Sequence, residues 1–368
     1  MCVIGSVVGI ASLLLFSMLS SLVSAASAGA LVTAKAPVSV VFINPGYANE
    51  PFWVGYIGYM HEAAADLGIE LRVLDGERDQ LKVLQHARDV LQAQEQPTYL
   101  VFVNEHYAGP EILRLFADSQ TKLFALHSTL TPDQQAIAGG SREKYHNWIG
   151  SLVPNDEDAG YLMAKALIAL APAGSGEMVA FSGIKQTPSA TLREAGLHRA
   201  LAEHPGMRLR QLLYGEWSSQ RAYEQAQVLL ARYPDVGLVW AANDEMAFGV
   251  MRAAEEQGRQ LRYSALNNST KVLQARIDGR VSALVSGHFI LGGCALVMLH
   301  DHAAGMDFAT RGGKDQQANL FRMLNKQDAL NFLRRIKTRD ASLDFRRFST
   351  ALNPGRQGYD CSIDGLLR

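Results

Sequence analysis

Cysteine is scarce: Cys2, Cys294 and Cys361 are the only three in 368 residues. They form no Cys-x-x-Cys pair and no cluster with histidine, so neither a metal site nor a redox motif is expected, and no cofactor is implied. A chain of this length buries enough core to fold without a disulfide framework. Cys294 stands among Leu291, Ala295, Leu296 and Leu299, the pattern of a buried helix face. That setting suits a free thiol; in an oxidising compartment a bridge to Cys361 is the other reading. An excess of either charge is also missing. Lys and Arg number 35 against 36 Asp and Glu, and they are dispersed. No basic stripe offers itself to nucleic acid and no acidic tail appears. The glycine-rich fingerprints of nucleotide enzymes are absent, as is a Gly-x-Ser-x-Gly elbow. His127-Ser128 is a dipeptide, not a triad. An N-terminal helix-turn-helix, which a repressor would carry, is replaced by an apolar run. No catalytic residues are predicted, and the chain is read as a non-enzyme.

Long apolar runs are lacking with one exception. Val3 to Val23 is nearly all apolar or small, and Val23-Ser24-Ala25 and Ala26-Ser27-Ala28 both fit a small-x-small cleavage site. Residues 1–28 therefore read as a secretory signal peptide, cleaved after Ala25 or Ala28, with an uncleaved anchor as the alternative. No Lys or Arg precedes the run, which departs from the usual pattern. Nothing downstream approaches the ~20 apolar residues of a spanning helix.

What is present is alternation. Val38–Asn44 is an apolar run suited to a buried parallel strand. Trp53–Leu67 has helical periodicity and stops at Gly68. Strands follow at Ile69–Leu74, Tyr99–Val103 and Lys122–Leu126, separated by helices at Leu81–Gln94 and Pro110–Ser119. The pattern restarts at Asp156 and runs through strands at Glu177–Ser182, Arg208–Tyr214, Val236–Ala241, Arg262–Leu266 and Val281–Val285. Helices are expected at Asp156–Leu170, Ser189–Glu203, Ser218–Arg232, Met246–Gln257 and Lys271–Asp278. Two successive β/α sets predict an α/β protein of two doubly wound, parallel-sheet lobes.

In such sheets ligands sit beyond the carboxyl ends of the strands. The residues there are Glu50, Phe52 and Trp53 after the first strand, Asn104, Glu105 and His106 after the third, and His127 and Ser128 after the fourth. The second set offers Arg193, Glu216, Trp217, Asn243, Asp244, Asn267, Asn268 and His288. Aromatic rings cover the apolar face of a sugar-like ligand, and planar polar groups bond its rim. Other readings are equally concrete. Phe52 and Trp53 would serve as core residues opening a helix, Arg193 as half of an internal ion pair, Asn243 as a helix cap, and Asn104-Glu105-His106 as a loop closure.

Asn49-Glu50-Pro51-Phe52-Trp53 resembles the Asn-Asn-Pro-Phe-Phe segment of ribose-type periplasmic binding proteins. Trp240 to Gly249 resembles their Asn-Asp-Glu-Met-Ala-x-Gly signature, and Thr187-x-Ser189-Ala190-x-x-Arg193-x-x-Gly196 looks like their arginine-bearing helix. Over about residues 38–324 the chain is similar to type I periplasmic binding proteins, with the ribose/galactose and autoinducer-2-receptor subgroups nearest in pattern. The resemblance implies two lobes joined by three crossovers, near Pro154–Asp156, Ser286–His288 and Gln316–Asn319. The N-terminal lobe would comprise 36–154 plus 288–316. The C-terminal lobe would comprise 155–287 plus 317–368, including a helical extension. It implies stacking by Phe52, Trp53 and Trp217, donation by Arg193, and a ligand amide at Asn243. His127-Ser128 replaces the family's Asp-Arg pair, Asn267 an Asp, Gly287 beside His288 a Gln, and Glu50 an Asn, so an ordinary pentose or hexose is not implied. The expected protein is a periplasmic monomer that captures a small polar, sugar-like ligand. It would present that ligand to an inner-membrane permease of an ABC importer or, alternatively, to a membrane sensor.

Overall fold

A computed structural model describes residues 37–172, 175–338 and 340–368. The expected signal peptide lies outside the described residues. The first half runs β1 (Val38–Asn44), α1 (Pro51–Leu67), β2 (Ile69–Asp75), α2 (Gln80–Gln92), β3 (Tyr99–Phe102), α3 (Gly109–Leu115), β4 (Lys122–Leu126), α4 (Pro132–Ala138) and β5 (Trp148–Pro154). The second runs α5 (Asp156–Ile168), β6 (Gly176–Ser182), α6 (Pro188–Ala202), β7 (Met207–Tyr214), α7 (Ser219–Arg232), β8 (Leu238–Ala241), α8 (Asp244–Glu256), β9 (Arg262–Leu266), α9 (Thr270–Asp278) and β10 (Ala283–Ser286). Then come α10 (Leu291–Ala303), β11 (Asp315–Ala318), β12 (Arg322–Leu324), α11 (Lys326–Thr338) and α12 (Asp364–Leu367).

Two six-stranded sheets result, ordered β11-β5-β4-β3-β1-β2 and β12-β10-β9-β8-β6-β7. Every pairing is parallel except β10 with β12. The two-lobed α/β fold is thus as the alternation indicates. Both sheets reverse direction of winding at the same point, between β1 and β3 and between β6 and β8, where such folds place ligands. The strands are buried on both faces: Val40, Phe42, Val101 and Phe124 are fully enclosed in one lobe, and Val179, Phe181, Val239 and Trp240 in the other. The chain passes between sheets after β5, after β10, and between β11 and β12.

Sequence alternation stopped too early in the first lobe. Strand β5 was not anticipated, because Gly150 and Ser151 interrupt its apolar run even though Trp148, Ile149 and Leu152 are buried. The edge strand β11, Asp-Gln-Gln-Ala, has no apolar signature at all.

The extension past β12 departs from the expected lobe boundary. Helix α11 packs on α9 of the second lobe, and Phe332 stacks on Phe289 with ring centroids 5.3 Å apart. Residues 341–361, assigned above to the second lobe, instead lie on α1 and α10 of the first. Tyr59 Oη donates to the Ala341 carbonyl (2.8 Å), and Asp66 accepts from the Phe345 amide (2.8 Å). Asp301 on α10 accepts from Ser349 Oγ (2.5 Å), Thr350 N (2.6 Å) and Oγ1 (2.9 Å), and Ala351 N (3.1 Å). Burial alone would raise this carboxyl; its hydrogen bonds, including that with His300, outweigh burial and hold it down to about 2. Cys294 and Cys361 are disulfide-bonded with Cα atoms 6.3 Å apart, so Cys294 is not the free buried thiol its helix face allowed. The chain then returns to the second lobe, where Asn331 Nδ2 donates to the Leu367 carbonyl (2.9 Å).

Candidate functional site: the interlobe cavity

One cavity of about 40 Å³ is lined from both lobes by residues that follow strand ends. The first lobe contributes Glu50, Phe52 and Trp53 after β1, Arg78 after β2, Glu105 after β3 and His127 after β4. The second contributes Ser189 and Arg193 after β6, Trp217 after β7, Asn243 after β8, Asn267 after β9 and His288 after β10. The space is enough for only a few waters, at roughly 10–15 Å³ each, so the lobes stand nearly closed.

Arg78 ties two carboxylates together. Its Nη1 donates to both Glu105 oxygens at 2.6 Å, its Nε donates to Glu50 Oε2 at 3.2 Å, and its Nη2 pairs with Glu50 Oε1. Burial pushes the Glu50 carboxyl up, and the Arg78 guanidinium only partly reverses the effect. Arg78 occupies a left-handed backbone conformation, φ 61°, in the tight turn after β2.

Arg193 is 3% exposed. Its Nε donates to Asp156 Oδ1 (2.7 Å) and its Nη1 to the Ala242 carbonyl (2.9 Å), while its guanidinium lies 5.4 Å from the Trp217 ring centroid. Burial dominates at Asp156 and raises its carboxyl to about 6 despite the arginine. The internal ion pair and the cavity wall are therefore one structure. Trp217 sits at φ 63° and packs flat on Gly183: a Cβ there would fall inside the indole. Asn243 is a cap as well as a lining residue. Its Oδ1 accepts from Met246 N (2.9 Å) and its Nδ2 donates to the Trp217 carbonyl (3.4 Å). Asn267 Nδ2 donates to Asp244 Oδ1 (2.6 Å), whose carboxyl burial raises to about 6.

The aromatic side of the cavity is a packed group. Trp53 is 2% exposed and contacts Phe42 and Tyr56, so it belongs to the core as well as the wall. His127 and His288 are stacked 5.7 Å apart, and Phe321 covers the latter at 5.1 Å. Burial first, then the positive charges of Arg193 and Arg78, lower His127 to about 3; burial, Arg193 and His127 push His288 well below its usual value. Both rings are neutral at physiological pH. Trp53 Nε1 and the Nδ1 atoms of His127 and His288 are buried with no hydrogen-bond partner, a state that buried polar groups rarely keep unless a ligand or water supplies one.

Of the residues the sequence singled out for the site, Glu50, Phe52, Trp53, Arg193, Trp217, Asn243, Asn267 and His288 meet at this cavity. Ser128 does not; it lines a neighbouring cavity. Glu105, which the strand-end rule also offers, lines the first cavity too, as do Ser189 and Arg78, of which Arg78 is nowhere among the expected residues. The strand-end rule would have found Arg78 had it been applied after β2. Among the described residues no group of three or more His, Cys, Asp or Glu is placed to hold a metal, and no helix is long and apolar enough to cross a membrane.

Two wound α/β lobes that close on a polar and aromatic cavity at their strand ends define a small-ligand binding protein of the two-lobed class. The chain belongs to the periplasmic binding protein domain family, whose sequence model matches residues 40–305. Its structure superposes on a periplasmic sugar-binding protein from Pseudomonas fluorescens with a TM-score of 0.82 and 50% identity, covering 90% of this chain and all of that one. In sequence it is 25% identical to the ribose import binding protein of Salmonella typhimurium over 270 residues, 73% of this chain and 86% of the relative. A galactofuranose-binding protein shares the fold, with a TM-score of 0.69 at 17% identity over 82% of this chain and 99% of that chain.

Proposed function

We propose that this protein is a periplasmic monomer that binds one small, uncharged, sugar-like ligand between its lobes and delivers it to an inner-membrane importer. The observation that carries this reading is the convergence of the ends of β1–β4 in one lobe and β6–β10 in the other on one cavity with aromatic rings and planar polar groups. Phe52 and Trp217 supply ring faces. Glu50, Asn243 and Asn267 offer polar groups for hydroxyls, as do the Nη2 of Arg193 and the orphaned nitrogens of Trp53, His127 and His288. Both arginines are already neutralised by carboxylates, and the histidines carry no charge, which favours an uncharged polyol over a sugar acid or phosphate. Ligand entry requires the lobes to part and closure to desolvate the hydrogen bonds, which strengthens them. Relatives named for sugar binding and ribose import support the substrate class and the transport role.

Calorimetry against D-ribose, D-allose, D-galactose and L-arabinose tests the substrate class, and scattering with and without the best binder tests closure. Binding of one sugar per chain with compaction is expected. Absence of binding by all four would remove the substrate reading, and tight binding without compaction would remove the closing motion. Co-purification with a permease supports delivery; co-purification with a membrane kinase or cyclic-dinucleotide enzyme would replace import by sensing.

A further inference from the structure

A second cavity of about 370 Å³ opens beside the first, and the two share His127 and Ser189 as lining residues. It too is built from both lobes. The loop from Ser128 to Asp133 forms one wall, and the start of α6, from Pro188 to Leu192, forms the other. Its surface mixes apolar groups, Val153, Leu130 and Leu192, with hydroxyls. Ser128 is 2% exposed, and its Oγ, like that of Thr129, is buried without a hydrogen-bond partner. An orphaned buried hydroxyl costs free energy unless something supplies the missing bond. Tyr107 and Leu192, 42% and 37% exposed, stand at its rim as large side chains with one face left uncovered.

We propose that this second cavity is a subsite for the second ring of a glycoside whose first ring occupies the strand-end cavity, so that the ligand is a two-ring glycoside rather than a free monosaccharide. The shared residues place the glycosidic oxygen beside His127 and Ser189. The second ring's apolar face then meets Leu130 and Leu192, and its polar edge meets Ser128 and Thr129. Ser128 thereby acquires a ligand-facing role, in this compartment instead of the first. The inference rests on the sugar reading of the first cavity, and its test separates the two.

The experiment uses the full chain and calorimetry. The sugar that binds best among D-ribose, D-allose, D-galactose and L-arabinose is compared with its own methyl and phenyl glycosides, on wild type, Leu192→Trp and Tyr107→Ala. The phenyl glycoside is expected to bind wild type about tenfold or more tighter than the parent sugar, with the methyl glycoside between them. Leu192→Trp, which fills the subsite, is expected to erase that gain while leaving the affinity for the free sugar unchanged. Tyr107→Ala, on an exposed rim, is expected to reduce the gain in part. A phenyl glycoside that binds no better than the free sugar, or variants that weaken both ligands equally, overturns the subsite while leaving the first cavity a sugar site. Failure of every free sugar and every glycoside overturns the sugar reading and the subsite with it.

Discussion

Phe52 and His288 lie face to face, ring centroids 4.7 Å apart and planes 17° from parallel. Phe52 opens α1 in the first lobe; His288 follows β10 at a crossover, and Phe321 of the neighbouring crossover packs against it with ring centroids 5.1 Å apart. The column ties the cavity wall to two of the crossover segments between the lobes. Phe52→Ala is expected to weaken ligand binding by about ten- to a hundredfold, the 1–3 kcal/mol of a lost stacking ring. Calorimetry decides it, and an unchanged affinity would place the ligand away from this wall.

Trp217 gives a cleaner test of the opposite wall, because it is only half-buried, at the edge of the lobe core. Trp217→Ala should cost a similar factor in affinity with little change in melting temperature. Gly183→Ala should reproduce that loss by displacing the indole, since an added Cβ has no room beneath it. If Gly183→Ala binds like wild type, the indole is not held where the ligand needs it.

Arg193 cannot be tested by simple truncation. Arg193→Ala strands Asp156 buried without its partner and should destabilise the fold by roughly 3–5 kcal/mol, read from urea unfolding. Removing both charges, as Arg193→Met with Asp156→Leu, should recover much of that stability but not the binding. Recovery of binding in the double variant would show that the arginine contributes only structure.

Acid should weaken the protein through its buried histidines. An unfolded histidine protonates near 6.5, whereas His127 does so only at about 3 and His288 also well below its usual value. Their contribution is complete above pH 6.5 and is lost as pH falls below it. Asp156 and Asp244 act in the opposite sense, since their folded values of about 6 lie above the ordinary 3.8 and they take up protons first in the folded state. Between about pH 6 and 4 the two pairs largely offset, so the net decline should set in below about pH 4, where the aspartates are protonated folded or unfolded while the histidines still resist protonation in the fold. His127→Gln should flatten that decline. A variant with the same acid limb as wild type would contradict the assignment.

The extension crosses from the second lobe to the first and back, and the disulfide pins it at α10. Replacing Cys294 and Cys361 by alanine releases a loop spanning 67 residues in sequence and should cost roughly 2–4 kcal/mol, measured by denaturation with and without reductant. An unchanged midpoint would mean that the Asp301 hydrogen bonds hold the segment by themselves.

Much of this was legible in the sequence. The alternation of apolar runs and helical periods carried both lobes, because buried parallel strands read as continuous hydrophobic stretches. β5 and β11 were not legible: one is broken by Gly150 and Ser151, and the other is a polar edge whose pairing is decided by backbone alone. Most of the cavity wall could be read because strand ends are fixed by topology. The position of Arg78 after β2 was legible by the same rule, but its role was not, because it depends on two carboxylates, Glu50 and Glu105, that come together only in three dimensions. Trp53 and Arg193 appeared as alternatives between core and ligand roles; both are core-bound residues that also reach the cavity. The tail's path over the first lobe is set by Asp301, the one acid of an almost wholly buried helix, together with Tyr59, Asp66 and the disulfide, partners that only the folded chain brings together.

The central claim, that the interlobe cavity holds one small polar ligand, is tested most directly by native mass spectrometry of the protein purified from its host, beside the Trp217→Ala variant. The account predicts a single small-molecule adduct per wild-type chain, released on unfolding and absent or much reduced in the variant. An adduct retained equally by both proteins, or by neither, would contradict it.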